Sequence, residues 1–189
     1  MTATLIAQIN VSLDGYIEND DHEIDWQFVD AEYDEFILQT LRSLDAMVFG
    51  RKAYEPLSRY WPTAAGNPDA TPVDLEQARL MHELPKYVVS TTLNKTDWHN
   101  THILHDVSEL ETIKTRHGGL IAIFAGGGII SSASDLGLVE EYRLTVNPIR
   151  LGSGTPLFRP SSKRLPLILT DSRVFGSGAV LLTYRPAAA

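Results

Sequence analysis

Apolar and polar residues change their spacing several times along this chain, and each change marks an element. Leu5 to Val11 reads as a strand that leads into Ser12-Leu13-Asp14-Gly15-Tyr16-Ile17. A polar, acidic loop extends to Asp25. Val29, Tyr33, Phe36, Ile37, Thr40, Leu41 and Leu44 then recur at intervals of three and four, which predicts an amphipathic helix with one buried face. Ala46 to Phe49 is a short buried strand ended by Gly50, and Arg51-Lys52-Ala53-Tyr54-Glu55 opens a helix. Arg59 to Ala70 holds Pro62, Gly66, Asn67 and Pro68 and reads as loop. Thr71-Pro72-Val73-Asp74 supplies a cap, a proline at the first helical position and an acid three residues on, predicting a helix to about Leu84.

Lys86 to Ser90 and Thr101 to Leu104 read as strands. Ser108-Glu109-Leu110-Glu111 has capping-box spacing, with Gly118 as the stop. Leu120 to Ala125 is a strand, followed by a helix to Leu136 that Gly137 ends. Tyr142 to Val146 is another strand. Leu165–Thr170 and Ala179–Tyr184 close the chain as a pair around Gly176-Ser177-Gly178. Alternating strands and helices imply an α/β domain with a largely parallel sheet, and the last pair implies an antiparallel edge. Composition does not shift along the chain, so residues 1–186 form one domain and Ala187 to Ala189 a tail.

The transition at Ala125-Gly126-Gly127-Gly128-Ile129-Ile130 carries the most chemistry. A buried strand stops at bare backbone and turns at once into a helix, whose free N–H groups and positive dipole end attract an anion. Glycines also mark tight connections that bind nothing. The third fingerprint position is Ser131 and no acid follows about 20 residues on, so the dinucleotide fingerprint G-x-G-x-x-G fails. No Gly-Lys-Ser or Gly-Lys-Thr triplet is present, so the Walker A loop fails too.

Composition narrows the classes. The chain has 189 residues, enough for one sizeable core, and its net charge of −8 argues against a general nucleic-acid or anionic-membrane surface. It leaves room for a small basic pocket. Without cysteine there are no disulfides, thiolate zinc sites or cysteine nucleophiles. The N-terminus lacks a basic leader with a cleavable apolar core, and no apolar run approaches the ~20 residues of a membrane span. A cytoplasmic protein is expected.

Other groups acquire meaning by position. Gly50-Arg51-Lys52 puts two cations at a helix start, which is itself positive; a bound anion would resolve the conflict, and so would extension into water. Ser90-Thr91-Thr92 offers hydroxyls after the next strand, as caps also do. In a parallel sheet, ligands bind beyond the carboxyl ends of strands. Phe49-Gly50, Ser90-Thr91 and Ala125-Gly126 are three such ends. Asp34 falls at the border of the apolar helix face, where it is either a cleft carboxylate with a raised pKa or an acid stabilised by the helix dipole. Asp14-Gly15 is a turn, and Trp26 is a core or lid residue. His99, His102 and His105 cannot share one face of a strand, so no metal site is assigned. No G-x-S-x-G elbow is present.

Taken in order, Ser12 to Ile17, Met47 to Arg51, Lys86 to Ser90, Phe124 to Gly128 and Asn147 to Phe158 resemble the dihydrofolate reductase superfamily. They are most similar to its riboflavin-biosynthesis branch, the RibD C-terminal family, and span nearly the whole chain. The resemblance implies a three-layer dihydrofolate reductase-like fold. It has a central, mostly parallel eight-stranded sheet, helices on both faces and a C-terminal antiparallel hairpin. It implies NADPH as hydride donor. Arg51, with Ser90 and Thr91, would hold the adenosine 2′-phosphate, and Gly126, Gly127 and Gly128 would meet the pyrophosphate; Gly50, Lys52 and Ile129 complete the cofactor-binding set. The loop after Ser12 would lie near the nicotinamide as a lid. Asp14, Trp26 and Asp34 would form the substrate side, with Asp34 at the helix acid that binds the pterin ring and supports protonation. The zinc deaminase of bifunctional riboflavin enzymes carries Cys ligands that this chain lacks, which implies a stand-alone member; the resemblance itself implies a homodimer. The expected activity is reduction of a pyrimidine- or pteridine-like heterocycle, as by 5-amino-6-(5-phosphoribosylamino)uracil reductase. The alternatives are a dihydrofolate or pteridine reductase, or an NADP-binding module without turnover.

Overall fold

The computed structural model describes residues 2–161 and 163–187. Its strands are β1 Thr4–Ser12, β2 Tyr16–Glu18, β3 Leu44–Gly50, β4 Lys86–Val89, β5 Thr101–Leu104, β6 Leu120–Ala125, β7 Glu141–Asn147, β8 Thr155–Pro156, β9 Leu167–Val174 and β10 Val180–Pro186. Its helices are α1 Ala31–Ser43, α2 Arg51–Ala64, α3 Pro72–Glu83, α4 Glu109–Arg116 and α5 Gly127–Asp135. Eight strands form one sheet in the order β5-β4-β3-β6-β1-β7-β10-β9, and β2 pairs with β8 separately. Neighbours from β5 through β7 run parallel, while β10 is antiparallel to both β7 and β9. This is the mostly parallel sheet with a closing antiparallel pair that the sequence predicts.

Alternate side chains of the central strands sort the core into two layers. Leu5, Ala7, Ile9 and Val11 of β1, Ala46 and Val48 of β3, and Ile121 and Ile123 of β6 point to one face. Leu110 and Ile113 of α4 and Ile130 and Ala133 of α5 cover them. Ile6, Met47, Phe49, Val88 and Ala122 point to the other face, beneath Tyr33, Ile37 and Leu41 of α1, Tyr54 of α2, and Leu80 and Met81 of α3. A sheet buried on both faces needs near-continuous apolar strands, which is why β3 and β6 show so little alternation. No described helix is long and apolar enough to cross a membrane.

Two expectations are corrected. The segment after Arg59 is not all loop, because α2 runs on to Ala64 with Pro56 and Pro62 inside it. Tyr54, Leu57 and Trp61, spaced three and four apart, all pack on the α1-side core, and that burial outweighs two missing N–H donors. Ser108 makes no side-chain cap; the Asp106 carboxylate accepts from the Ser108 N–H at 2.8 Å, and Glu109 accepts from the Asp106 N–H at 2.9 Å, so the box lies two residues earlier. The β2–β8 ladder was not expected, and its strands are too short to show a period. The Thr71–Asp74 capping box is present as predicted. Ala187 donates its N–H to Pro166 at 2.9 Å, while the rest of the expected tail, Ala188 and Ala189, lies outside the described residues.

The join between α3 and β4 depends on a lysine. Lys86 opens β4 at 0% exposure and donates from Nζ to the carbonyls of Met81, His82 and Leu84 at 3.0, 2.8 and 2.7 Å. It thereby closes the C-terminal end of α3, with the ammonium 4.6 Å from the Trp98 ring centre. Burial pushes its pKa down to about 8, so the charge persists at neutral pH against three carbonyl dipoles. Lys86→Met strands those acceptors in the interior. It is expected to lower stability by about 2–4 kcal/mol in urea unfolding at pH 7; an unchanged midpoint would show that the carbonyls find other donors.

Candidate functional site

Sheet register brings the three predicted strand ends to one edge. Gly50 of β3 pairs with Val89 of β4, Val89 pairs with Leu104 of β5, and Phe49 pairs with Ala125 of β6. Gly126 therefore lies level with Gly50, Val89 and Leu104, and Arg51, Ser90 and His105 follow one step beyond at the same edge. Gly126 is the tightest point. Its φ is +110°, and a Cβ there would stand 3.3 Å from the Gly50 backbone nitrogen. Both facts call for glycine. A Cβ on Gly50 would in turn meet Ile129 Cγ1 at 3.2 Å. The backbones of Gly50 and Gly126 touch, and α2 and α5 begin side by side.

Each helix start leaves N–H groups that no earlier turn can accept. In α5, Ile129 and Ile130 donate back to the Gly126 carbonyl at 2.9 and 3.1 Å, and Gly127 and Gly128 are the donors that remain. The Arg159 guanidinium lies against Gly128, in the space a Cβ would fill. Ser131 of α5 anchors the segment that carries it, donating to the Leu157 carbonyl at 3.3 Å and accepting from the Arg159 N–H at 3.0 Å. A cation resting on the positive end of a helix is placed for an anion to join them. Arg51, at the start of α2, pairs with Glu55 one turn on at 2.8 Å. Lys52 is exposed. Ser90 is buried and accepts from the N–H groups of Thr92 and Leu93 at 3.2 and 3.0 Å, and Thr91 is exposed.

The remaining predicted residues occupy other segments. Asp14 sits in a turn that Gly15 closes with φ +88°, and it acts as a tether. Its carboxylate accepts from Ser12 Oγ at 2.7 Å and from the N–H groups of Leu151 and Gly152 at 3.0 and 2.8 Å. Desolvation pushes its pKa up, but the bonds from Ser12, Gly152 and Leu151 outweigh it and bring the carboxyl down to about 2. Trp26 is buried and donates to the Glu23 carbonyl at 3.1 Å, within a loop that Asn147 holds through the Phe28 N–H at 2.7 Å. Asp34 is half-buried in the first turn of α1. Its pKa is raised by burial first, then by the negative charges of Asp74 at the start of α3 and of Asp30.

The residue beside Asp34 faces the sheet instead. Tyr33 is buried, and its hydroxyl accepts from Asn10 Nδ2 at 2.5 Å; burial pushes the phenol up to about 12. Asn10 Oδ1 accepts from Asn147 at 3.2 Å. Gln8 and Thr145 share this face of β1 and β7 at 2% and 0% exposure, yet Gln8 Nε2, Gln8 Oε1 and Thr145 Oγ1 have no hydrogen-bond partner. Such a group costs about 1–3 kcal/mol if nothing pairs with it. Gln8, Asn10, Thr145 and Arg159 were not singled out from the sequence. For Gln8 and Asn10 a signal existed, polar residues at every second place in an apolar strand. Arg159 gives none, because only the fold carries it back to Gly128. Among the described residues, no group of three or more His, Cys, Asp or Glu side chains is arranged to hold a metal ion.

A row of strand ends, two helix starts meeting at glycine and a cation on the second of them make a site suited to a phosphate-bearing ligand. The profile of the RibD C-terminal domain matches residues 3–181. The chain belongs to the RibD C-terminal domain family. The uncharacterised protein YyaP of Bacillus subtilis (strain 168) is 34% identical over 95% of this chain and 93% of its own length. Two solved structures show the same fold at low identity. One is a diaminohydroxyphosphoribosylaminopyrimidine deaminase/5-amino-6-(5-phosphoribosylamino)uracil reductase from Thermotoga maritima, 12% identical with a TM-score of 0.66, over 98% of this chain and 57% of that one. The other is dihydrofolate reductase from Enterococcus faecalis, complexed with NADP(H) and RAB-propyl, 12% identical with a TM-score of 0.65, over 98% of this chain and 97% of that one.

The Asp14 tether sets an acid dependence. A carboxyl whose folded pKa is depressed contributes stability above its unfolded pKa and loses it as pH falls through the folded value. Asp14→Asn is expected to lower the melting temperature at pH 7, with the gap to wild type closing between pH 3.8 and about 2. A gap that stays constant down to pH 2 would contradict the tether.

Proposed function

We propose that the protein reduces a pyrimidine- or pteridine-like heterocycle with NADPH, as a reductase of the 5-amino-6-(5-phosphoribosylamino)uracil type. The observation that carries this reading is the pair of helix starts meeting at Gly50 and Gly126, in a chain of this family. The residues fit a phosphate-rich dinucleotide. Gly127 and Gly128 offer N–H donors at a positive helix end, with Gly126 and Ile129 shaping the turn, and Arg159 adds a charge that can move off Gly128 to meet pyrophosphate. Arg51 would exchange Glu55 for the 2′-phosphate, aided by Gly50, Lys52, Ser90 and Thr91. Bound NADPH supplies a hydride to a C=N or C=O carbon of the substrate.

The chain's own groups then position the heterocycle and supply a proton. Asp34 is the proposed proton source to the adjacent N or O atom, directly or through a water. Burial and the nearby acids raise its pKa, which favours the protonated carboxyl such a role needs. Asp14 and Trp26 would flank the substrate from the loop after β1, with Asp14 fixing that loop to residues 151–152. We also read the protein as a cytoplasmic homodimer. Supporting the dimer, β9 is an edge strand whose Ile168, Leu169 and Val174 are 56%, 51% and 68% exposed.

Titration with NADPH and NADH tests the cofactor. Wild type is expected to favour NADPH by at least about tenfold, and Arg51→Ala to bring the two together. A preference that survives the substitution would remove Arg51 from the 2′-phosphate site. NADPH oxidation with folate, biopterin and ribosylaminopyrimidine substrates tests the reaction. Asp34→Asn is expected to cut kcat about 100-fold while the melting temperature at pH 7 holds or rises, because a repelled, half-buried charge is lost. An unchanged kcat would exclude Asp34. Tight NADPH binding with no substrate turned over would favour the binding module.

A further inference from the structure

The last three strands of the sheet sort their side chains by charge. Leu144 and Val146 of β7, Val180 and Leu182 of β10, and Leu169 and Val174 of β9 share the α5 side. Register pairs Leu144 with Leu182, Val146 with Val180, Val180 with Val174, and Tyr184 with Leu169. The other side of the same strands carries Arg143, Asp171, Arg173 and Arg185. An antiparallel sheet with one wet face turns its apolar side to a core. Here the apolar side lacks that cover. α5 reaches Tyr142, whose hydroxyl donates to Ser134 Oγ at 2.7 Å, and no described helix lies over β10 or β9 beyond it. Leu169 and Val174 are 51% and 68% exposed, and the other four are half-buried.

Three strands about 4.8 Å apart and about 20 Å long give this patch roughly 300 Å². The Phe158 ring, 42% exposed and 6.2 Å from Tyr142, extends it. That is the size of a dry interface centre within about 800 Å² per partner. Two features fit it to a second copy of this chain. Its six side chains carry no charge in a chain of net charge −8, so two copies meet here without bringing like charges together. A flat apolar sheet face is also its own complement, and two such faces pack about 10 Å apart around a twofold axis. We propose that two copies join through these faces, and that the partner's sheet presses Phe158 onto Tyr142. Phe158 precedes Arg159, whose guanidinium lies on Gly128. Association therefore fixes the cation at the start of α5, and the dimer binds a dinucleotide more tightly than the monomer. Linkage makes the converse hold, so NADP+ tightens the dimer. This rests on the homodimer and cofactor readings above, and names the face that joins the copies and its effect on the site.

Sedimentation equilibrium of wild type, Leu169→Glu, Val174→Glu and Ile168→Glu tests the face. Each variant adds one charge at an exposed position, but Ile168 pairs with Arg185 on the opposite side of β9. Wild type is expected to be a dimer. Leu169→Glu and Val174→Glu should each raise its dissociation constant about 100-fold, and Ile168→Glu by less than about threefold, with circular dichroism unchanged in all. NADP+ titration then tests the coupling. Val174→Glu, studied as a monomer, should bind NADP+ about tenfold more weakly than the wild-type dimer. Arg159→Ala should cost about tenfold in wild type and less than about twofold in the Val174→Glu background. A dimer that survives Leu169→Glu and Val174→Glu, or that Ile168→Glu breaks as readily, overturns the face alone. Equal NADP+ affinity in monomer and dimer overturns the coupling through Phe158. Wild type that sediments as a monomer overturns the homodimer reading and this inference together, and leaves the face to a different protein.

Discussion

The contact between the Gly50 and Gly126 backbones sets the geometry of the functional edge. β3 and β6 are parallel neighbours that end within one residue of each other, and each leads into a helix. A side chain at Gly126 would be strained by a φ of +110° and pressed against the Gly50 nitrogen. Glycine removes both obstacles, so two helix starts stand side by side and their unpaired N–H groups face one region. The order of strands does the rest. It places Ser90 on one flank and folds the segment after β8 back over α5, where Ser131 holds it and Arg159 reaches Gly128.

The two faces of the sheet divide the work. Apolar side chains fill both layers around β3 and β6, where the frame must be rigid. Toward β1 and β7 the α1 side turns polar, through Gln8, Asn10, Thr145 and the buried Glu141, which pairs with Arg143 and Arg185 at 2.7 and 2.9 Å. Polar groups buried in a core lower stability unless paired, so this strip is where the α1-side layer gives up apolar packing. Lys86 is the contrasting case. It is as deeply buried, but three carbonyls meet it, and its task is to finish a helix.

Most of the architecture was legible because strand and helix periods are local. Leu5–Val11, the α1 stripe from Tyr33 to Leu41 and the Thr71–Asp74 box fall where their spacing puts them, whereas Val29 is exposed ahead of α1 and Leu44 opens β3. The continuation of α2 through Pro62 was not legible, because its justification is the packing of Tyr54, Leu57 and Trp61 on a core built from distant strands. The same distinction holds at the site. Gly50, Arg51, Ser90 and Gly126 follow strand ends, and register alone carries them to one edge. Asp34 was legible as a border acid, but that Tyr33 and not Asp34 meets Asn10 depends on the angle at which α1 crosses β1. Arg159 reaches Gly128 only through tertiary folding.

The central claim is that three strand ends form one dinucleotide site. Amide chemical-shift mapping of the nitrogen-15-labelled protein during NADP+ titration tests it most directly. The account predicts that the largest shifts fall together on Gly50, Arg51, Ser90, Thr91 and Gly126 through Ile129, with a shift of the Arg159 side chain. Binding that moves the groove at Glu141 and Arg185 while leaving those glycines unchanged would contradict it.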